Sequence, residues 1–345
     1  MAVAAPWPAA SFCRETGGVR SEEALGDHGS QSCAAGPRIR PMNRTVALTG
    51  GTGFIGRYIV GDLLRRGFRI RALTRTQRSA PDARLSWVHG CLESPQALCE
   101  LVRGADDVIH CAGQVRGGSE NVFTRTNLHG SQALLQAALH SGQCRRFLFI
   151  SSLAARHPEL SWYAASKHRA EQQLQTLAGD ISLGIFRPTA VYGCGDKELY
   201  PLLNGLLRGV LPCPAGHDGT LSFLHVSDLA TAVSQWLLSA SPATGIYELC
   251  DGMPGGYSWK RLQLIGASVR RGPVWRASIP LTVLRLLAAI SVQCHRVTGK
   301  APMLTPAKIR EIIHPDWSAS NQRLTAAISW RPEVSLERAL RERLF

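Results

Sequence analysis

An apolar pentapeptide, Thr45-Val46-Ala47-Leu48-Thr49, runs directly into Gly50-Gly51-Thr52-Gly53-Phe54-Ile55-Gly56-Arg57-Tyr58. That junction restricts the fold more than any other stretch of the chain. Glycines this dense between a strand and a helix let backbone N–H groups approach phosphate, of either a mononucleotide or a dinucleotide. A mononucleotide loop requires Lys and then Ser or Thr after the last glycine of GxxxxGK[ST], and Arg57 and Tyr58 occupy those places. The dinucleotide fingerprint fits in two registers, Gly51-x-Gly53-x-x-Gly56 and Gly50-x-x-Gly53-x-x-Gly56. In the second, Gly50 permits the tight turn. The backbone from Gly53 through Phe54 and Ile55 meets the pyrophosphate, and Gly56 lets helix and strand pack closely. A glycine triplet also occurs in plain structural turns, so its place in a strand–turn–helix array carries the reading.

Such an array follows. The apolar pattern predicts strands at "TVALT", "FRIRALT", "LSWVH", "DVIHCA", "RRFLFIS" and "LGIFRP". Helices lie between them: Gly53 to Arg66, Ser94-Pro95 to Gly104, one long helix through Asn127 to about His140, and Tyr163 to Leu177. Strands alternating with helices at this spacing predict an α/β fold with a doubly wound, Rossmann-like parallel sheet. After Arg187 prolines punctuate shorter elements, as in a smaller C-terminal substrate lobe. The organisation expected is a nucleotide-binding domain over 42–190 and a lobe over 191–345, with some elements returning to the sheet. Residues 1–41 show no sustained period and no signal-peptide core, and read as disordered or as upstream of a start at Met42.

The net charge of +14 belongs to the chain after residue 41, because residues 1–41 hold four Arg and four acids. It suits a phosphorylated cofactor, an acidic substrate or weak attraction to an anionic membrane surface, and equally an Arg-rich composition with no specific partner. No aromatic–basic interleaving marks a nucleic-acid platform. Ten cysteines are scattered singly, without a CxxC pair or a Cys/His cluster at metal spacing. That pattern implies a reducing, cytoplasmic setting and no metal centre. The longest apolar run, Ile279 to Val292, is too short to span a bilayer and reads as a buried or interfacial helix.

An NAD site places an acidic residue about 20 positions past the glycines to hold the ribose hydroxyls. Here the count reaches "ALTRTQR", with no acid before Asp82. Arg75, Arg78 and Arg57 are the candidates for a 2′-phosphate, which favours NADP(H) over NAD(H). Further on, "SWYAASKHRAEQ" sets Tyr163 and Lys167 four apart on one helical face. Ser151-Ser152 closes the strand upstream, at the carboxyl edge of a parallel sheet. A tyrosine beside an ammonium can exchange a proton with a carbonyl or alcohol oxygen, which Ser152 would hydrogen-bond. Ser151, still in the strand, is the weaker partner.

These motifs, with "HCAG" at His110 to Gly113, "TNLHGS" around Asn127, "FISS", "FRPTAVYGCGD", "FLHVSDLA" and "SWRPEVSLERAL", fall in the order found in the extended short-chain dehydrogenases/reductases. The chain resembles this NAD-dependent epimerase/dehydratase family from about Thr45 onward. The resemblance implies that Asn127 supports the active-site helix, that Lys167 reaches the nicotinamide ribose, and that Pro188 and Val191 line the nicotinamide end. It places Cys111, Ala112 and Gly113 along the adenosine side and suggests a homodimer.

Departures narrow the substrate. Cys91 stands where relatives carry an adenine-contacting Asp. Leu153-Ala154 replace the Asp-Glu of dehydratases, and Leu221-Ser222 replace the Arg that grips a sugar-nucleotide diphosphate. The apolar Ile279–Val292 helix resembles the lobe of hydroxysteroid-dehydrogenase-like and dihydroflavonol-reductase-like members. The expectation is a small-molecule oxidoreductase for an apolar ketone or secondary alcohol, using Ser152, Tyr163, Lys167 and Asn127. A sugar-nucleotide epimerase gripping its diphosphate with Arg276 or Arg296, and a non-catalytic NADP(H) sensor or assembly factor, are the alternatives. Cys194, His225 and His314 are read as packed or solvated.

Overall fold

Six short apolar runs form the first strands: β1 (Thr45–Thr49), β2 (Arg69–Thr74), β3 (Leu85–His89), β4 (Asp107–His110), β5 (Arg146–Ile150) and β6 (Ser182–Pro188). The computed structural model describes residues 44–216, 218–240, 244–298 and 304–345, without the side chains of 295–298. The segment 1–41 and the side chain of Arg296 lie outside the described residues. Helices α1 (Phe54–Arg65), α2 (Pro95–Val102), α3 (Glu120–Phe123), α4 (Gly130–Ser141) and α5 (Trp162–Leu177) alternate with these strands.

Ser94 occupies the N-cap of α2 ahead of Pro95, without a side-chain capping hydrogen bond. One local expectation needs correction. The helix expected to run unbroken through Asn127 is instead α3 and α4 joined by a π-helical turn, Thr124–His129. The wider turn adds a residue to the helical path and re-aims the side chains on it, a distortion frequent at functional sites.

The chain continues through β7 (Ala190–Tyr192), α6 (Tyr200–Arg208), β8 (Val210–Pro214), β9 (Thr220–Leu221), β10 (Phe223–His225), α7 (Val226–Leu238) and β11 (Gly245–Leu249). It ends with β12 (Tyr257–Ser258), α8 (Trp259–Arg270), β13 (Trp275–Ile279), α9 (Leu281–Thr298), α10 (Pro306–Ile313), α11 (Gln322–Ile328) and α12 (Leu336–Glu342). Strand β11 joins the main sheet beside β6, with Gly245 opposite Gly184 and Leu249 opposite Pro188. The seven strands are all parallel, in the order β11-β6-β5-β4-β1-β2-β3.

Both faces of the sheet are covered, as a wholly parallel sheet requires. On one, Ile59, Val60 and Leu63 of α1 meet Val233, Trp236 and Leu237 of α7. On the other, Leu98 and Leu101 of α2 pack with Leu134 and Leu135 of α4 and Leu174 of α5. A separate core, including Tyr192, Leu206, Phe223, Tyr257 and Leu336, holds the C-terminal elements together. The strand order reverses between β1 and β4, so the crevice for a ligand opens beyond their carboxyl ends.

Candidate active site

The glycine turn sits at that reversal. Gly50 has φ 77°, and a Cβ there would lie 2.6 Å from the backbone nitrogen of Ala112. A side chain at Gly56 would collide with the Gly50 carbonyl. The Gly53 N–H closes the turn onto Gly50 O at 2.9 Å. Phe54 and Ile55 begin α1 half-buried, and the first turn carries no acidic side chain. The partial positive charge of the helix terminus is therefore left for an anion. The same close approach brings Cys111, Ala112 and Gly113, just beyond β4, against the glycine turn.

Beyond β2 and β3 lies a cavity of about 420 Å³ lined by Thr74, Gln77, Arg78, Ser79, Trp87 and His89. Among the described residues no carboxylate lines it, and the buried indole nitrogen of Trp87 has no hydrogen-bond partner there. Of the three arginines expected near a 2′-phosphate, the structure brings Arg78 to this cavity. Arg75 is exposed outside its lining. The Arg57 guanidinium lies elsewhere, beside Gly195 in the loop after β7. There Tyr58 also donates to the Cys194 carbonyl at 3.1 Å.

At the carboxyl end of β5, Ser152 caps the 3-10 turn Leu153–Arg156, accepting from the Ala154 N–H at 3.2 Å. Its hydroxyl lies near the Tyr163 phenol and favours the ionised form of that phenol. Ser161 caps α5 by accepting from the Ala164 N–H at 3.0 Å, which fixes the turn that carries Tyr163. Burial pushes the phenol up to about 12. The nearby Ser152 hydroxyl opposes this, and the charges of Glu311 and Cys111 add to it.

One helical turn on, Lys167 is buried. Its ammonium donates to the Ile150 carbonyl at 2.9 Å and stands 4.5 Å from the centre of the Phe149 ring. Burial lowers the Lys167 pKa to about 8, while the neighbouring Cys111 and Glu171 resist the shift. The lysine thus faces the strand end and Gly113, where a Cβ would come 3.2 Å from its Nζ.

Asn127 reaches this cluster from the π-helical turn. Its Oδ1 accepts from the Gln114 N–H at 2.7 Å, and its Nδ2 donates to Gln114 O and to Ser166 Oγ at 3.0 and 2.9 Å. It ties the loop after β4 to α5 and would touch Gly113 through a Cβ placed there, at 3.3 Å. Pro188 ends β6 buried against β11, and Val191 pairs with Leu224 in the β7–β10 ribbon.

Sequence reasoning missed three features. The first is a buried polar chain. The Ala112 N–H donates to Thr49 Oγ1, which pairs with His110 Nδ1 at 2.6 Å. His110 Nε2 pairs with Ser131 Oγ at 2.8 Å, and Ser131 donates to the Asn127 carbonyl. Those partners fix the imidazole as its neutral Nε2–H tautomer, and burial drops its pKa to about 3. The second is the use made of Ser151, whose hydroxyl is held by the buried Glu171–Arg187 ion pair. This leaves Ser152 to the site.

The third is Glu311 of α10, whose charge acts on Tyr163. The end of α10 also reaches the loop before α5 through Arg310, which donates to Leu160 O at 2.9 Å, and through His314, whose ring is tilted against His157 at 4.1 Å between centroids. His225 caps α7, and Arg276 pairs with the exposed Asp218.

Residues 46–250 match the NAD dependent epimerase/dehydratase family. The chain is 34% identical over 279 residues to a ceramide reductase of Caulobacter vibrioides, covering 80% of this chain and 86% of that protein. It is 24% identical over 329 residues to a UDP-glucose 4-epimerase of Vibrio cholerae, covering 88% and 95%. The UDP-glucose 4-epimerase of Thermus thermophilus, solved as a complex with NAD, shares the fold at a TM-score of 0.63 with 22% identity over 86% of this chain and 96% of that one. A doubly wound sheet, a glycine turn at its reversal point and a match over most of the chain lead to one assignment: the protein belongs to the NAD dependent epimerase/dehydratase family and is an NAD(P)-dependent enzyme of the short-chain dehydrogenase/reductase type.

Proposed function

We propose that the protein is an NADP(H)-dependent oxidoreductase acting on a ketone or secondary alcohol of an apolar, long-chain substrate. The observation that carries this reading is the convergence of Ser152, Tyr163 and the buried Lys167 ammonium beyond the carboxyl end of β5, with the phenol and the ammonium one helical turn apart on α5. The dinucleotide suits the residues present, because the Gly50 and Gly56 positions admit no side chain and the neighbouring cavity offers Arg78 without a carboxylate. The α1 N-terminus would hold the pyrophosphate, and Arg78 a 2′-phosphate. When bound, the nicotinamide supplies hydride to a ketone or accepts it from an alcohol.

Tyr163, protonated across the neutral range, passes its proton to the carbonyl oxygen as that oxygen gains negative charge, and takes one back in the reverse direction. Ser152 donates a hydrogen bond to the same oxygen and orients it. Asn127 and Ser166 are positioning residues for the turn that carries Tyr163. Lys167 supplies positive charge near the reacting centre while protonated, which its pKa of about 8 allows at neutral pH. The apolar substrate follows from Leu221-Ser222 at the place of a diphosphate-gripping arginine, and from the similarity to a ceramide reductase.

The test is a titration of the purified chain with NADPH and NADH by nucleotide fluorescence, followed by NADPH consumption with long-chain ketones. NADPH should bind about tenfold or more tighter than NADH, and apolar ketones should be reduced. Interconversion of UDP-glucose and UDP-galactose without net cofactor use would overturn the reading in favour of an epimerase. Tight cofactor binding with no turnover of any ketone would favour a sensor.

A further inference from the structure

Between Gly252 and Arg310 the chain contains ten Lys and Arg and no Asp or Glu, so this one segment supplies most of the net charge of +14. The same segment carries most of the exposed large apolar side chains of the C-terminal half. Strand β13 is exposed over four of its five residues, with Trp275 at 72%. Pro280 then leads into α9. That helix turns Ala288 inward and leaves Val283, Leu286, Leu287 and Ile290 between 43% and 62% exposed. Positions 283, 286, 287 and 290 follow the i, i+3, i+4, i+7 spacing of a single helical stripe. Arg285 is exposed within the same turns, and Arg276 projects from β13.

No helix among the described residues is long and apolar enough to cross a membrane. An exposed apolar stripe in a strongly basic segment instead suits a helix lying in the plane of a lipid–water interface. Helix α9 packs on α10, which carries Glu311 to Tyr163, so the stripe stands one helix away from the catalytic phenol.

We propose that α9 and β13 form a docking face for an anionic bilayer, with the apolar stripe and Trp275 seated at the acyl boundary and Arg276 and Arg285 on lipid phosphates. Charge selects lipid over a second copy of the chain. A two-fold contact through this face would set one arginine-rich segment against another, with no carboxylate inside either segment and with Asp218 at the edge already paired to Arg276. An anionic headgroup layer supplies the missing counter-charge. The proposal does not depend on the identity of the substrate, but it places the face where an apolar molecule leaving the bilayer would meet the lobe over the site.

The test is co-sedimentation of the full chain with vesicles of phosphatidylcholine alone or of phosphatidylcholine with phosphatidylglycerol. Binding should require phosphatidylglycerol and weaken as salt is raised. The double variant Arg276→Gln/Arg285→Gln should lower the partition coefficient by about fivefold per arginine. The triple variant Leu286→Gln/Leu287→Gln/Ile290→Gln should lower it by roughly tenfold or more. All of these side chains are exposed, so NADPH affinity and thermal unfolding should stay unchanged, which separates lost docking from lost folding. The proposal is overturned if the wild-type chain stays in the supernatant with anionic vesicles or if the variants partition like wild type. It also fails if the triple variant turns a dimer into a monomer, by sedimentation velocity, without changing vesicle binding.

Discussion

The sheet around the glycine turn and the segment from Gly252 to Arg310 are built on opposite terms. In the sheet, charge is paired inside the protein: Glu171 with Arg187 and Ser151, and Asp107 with Arg44, all held where water is excluded. Its apolar residues are fully covered, from Val46, Ala47 and Leu48 of β1 to Phe147, Leu148 and Phe149 of β5. In the C-terminal segment the positive charge is unmatched by any acid of its own, and Trp275, Leu264 and the α9 stripe face outward. The contrast separates two tasks. Positioning a nucleotide and a phenol demands backbone geometry with little tolerance, whereas meeting a substrate or a surface demands only the right chemistry on an available face.

Substitutions at the glycine turn should break this contrast most severely. Gly56→Ala puts a methyl into the Gly50 carbonyl, so NADPH affinity by fluorescence should fall about a hundredfold or more. Gly255→Ala, in the C-terminal half, sits at φ 66° with nothing within 4 Å of the added methyl. It should lower the melting temperature slightly and leave NADPH binding as in wild type.

Arg78→Ala should weaken NADPH by about ten- to a hundredfold while NADH binding stays constant. Equal loss for both nucleotides would move the 2′-phosphate away from the Thr74–His89 cavity.

The pH dependence follows from the two shifted groups. Tyr163, pushed up to about 12, keeps its proton throughout the neutral range, while Lys167, lowered to about 8, loses its charge as pH rises through that value. Ketone reduction should therefore be flat from about pH 6 to 7.5 and decline above about 8 in kcat/KM.

The smallest effect should come from the lobe. Glu311→Gln removes a charge that raises the phenol pKa, so the alkaline limb of alcohol oxidation should move to lower pH with little change in cofactor affinity.

The parts of the site that were legible in the sequence are those fixed by local backbone rules. A strand, a glycine turn and a helix must follow one another to form the cradle, and Tyr163 and Lys167 share a face because four residues complete about one helical turn. The strand rhythm was readable on the same grounds. The π-helical turn at Thr124–His129 was not, because one extra residue in a turn leaves the apolar period almost unchanged. His110 read only as part of "HCAG", since nothing local tells that a strand histidine will find Thr49 and Ser131. Glu311 carried no signal at all, because its approach to Tyr163 depends on how α10 settles over the loop before α5.

The central claim is that the Tyr163 phenol, beside Ser152 and Lys167, is the proton donor to the reacting oxygen. The direct measurement is Tyr163→Phe with two readouts, NADPH affinity by fluorescence and the rate of NADPH oxidation with an apolar ketone. The account predicts affinity within about twofold of wild type and a rate lowered by roughly a hundred- to ten-thousandfold. A variant that turns over like wild type, or that loses NADPH binding while keeping its rate at saturating cofactor, would contradict it.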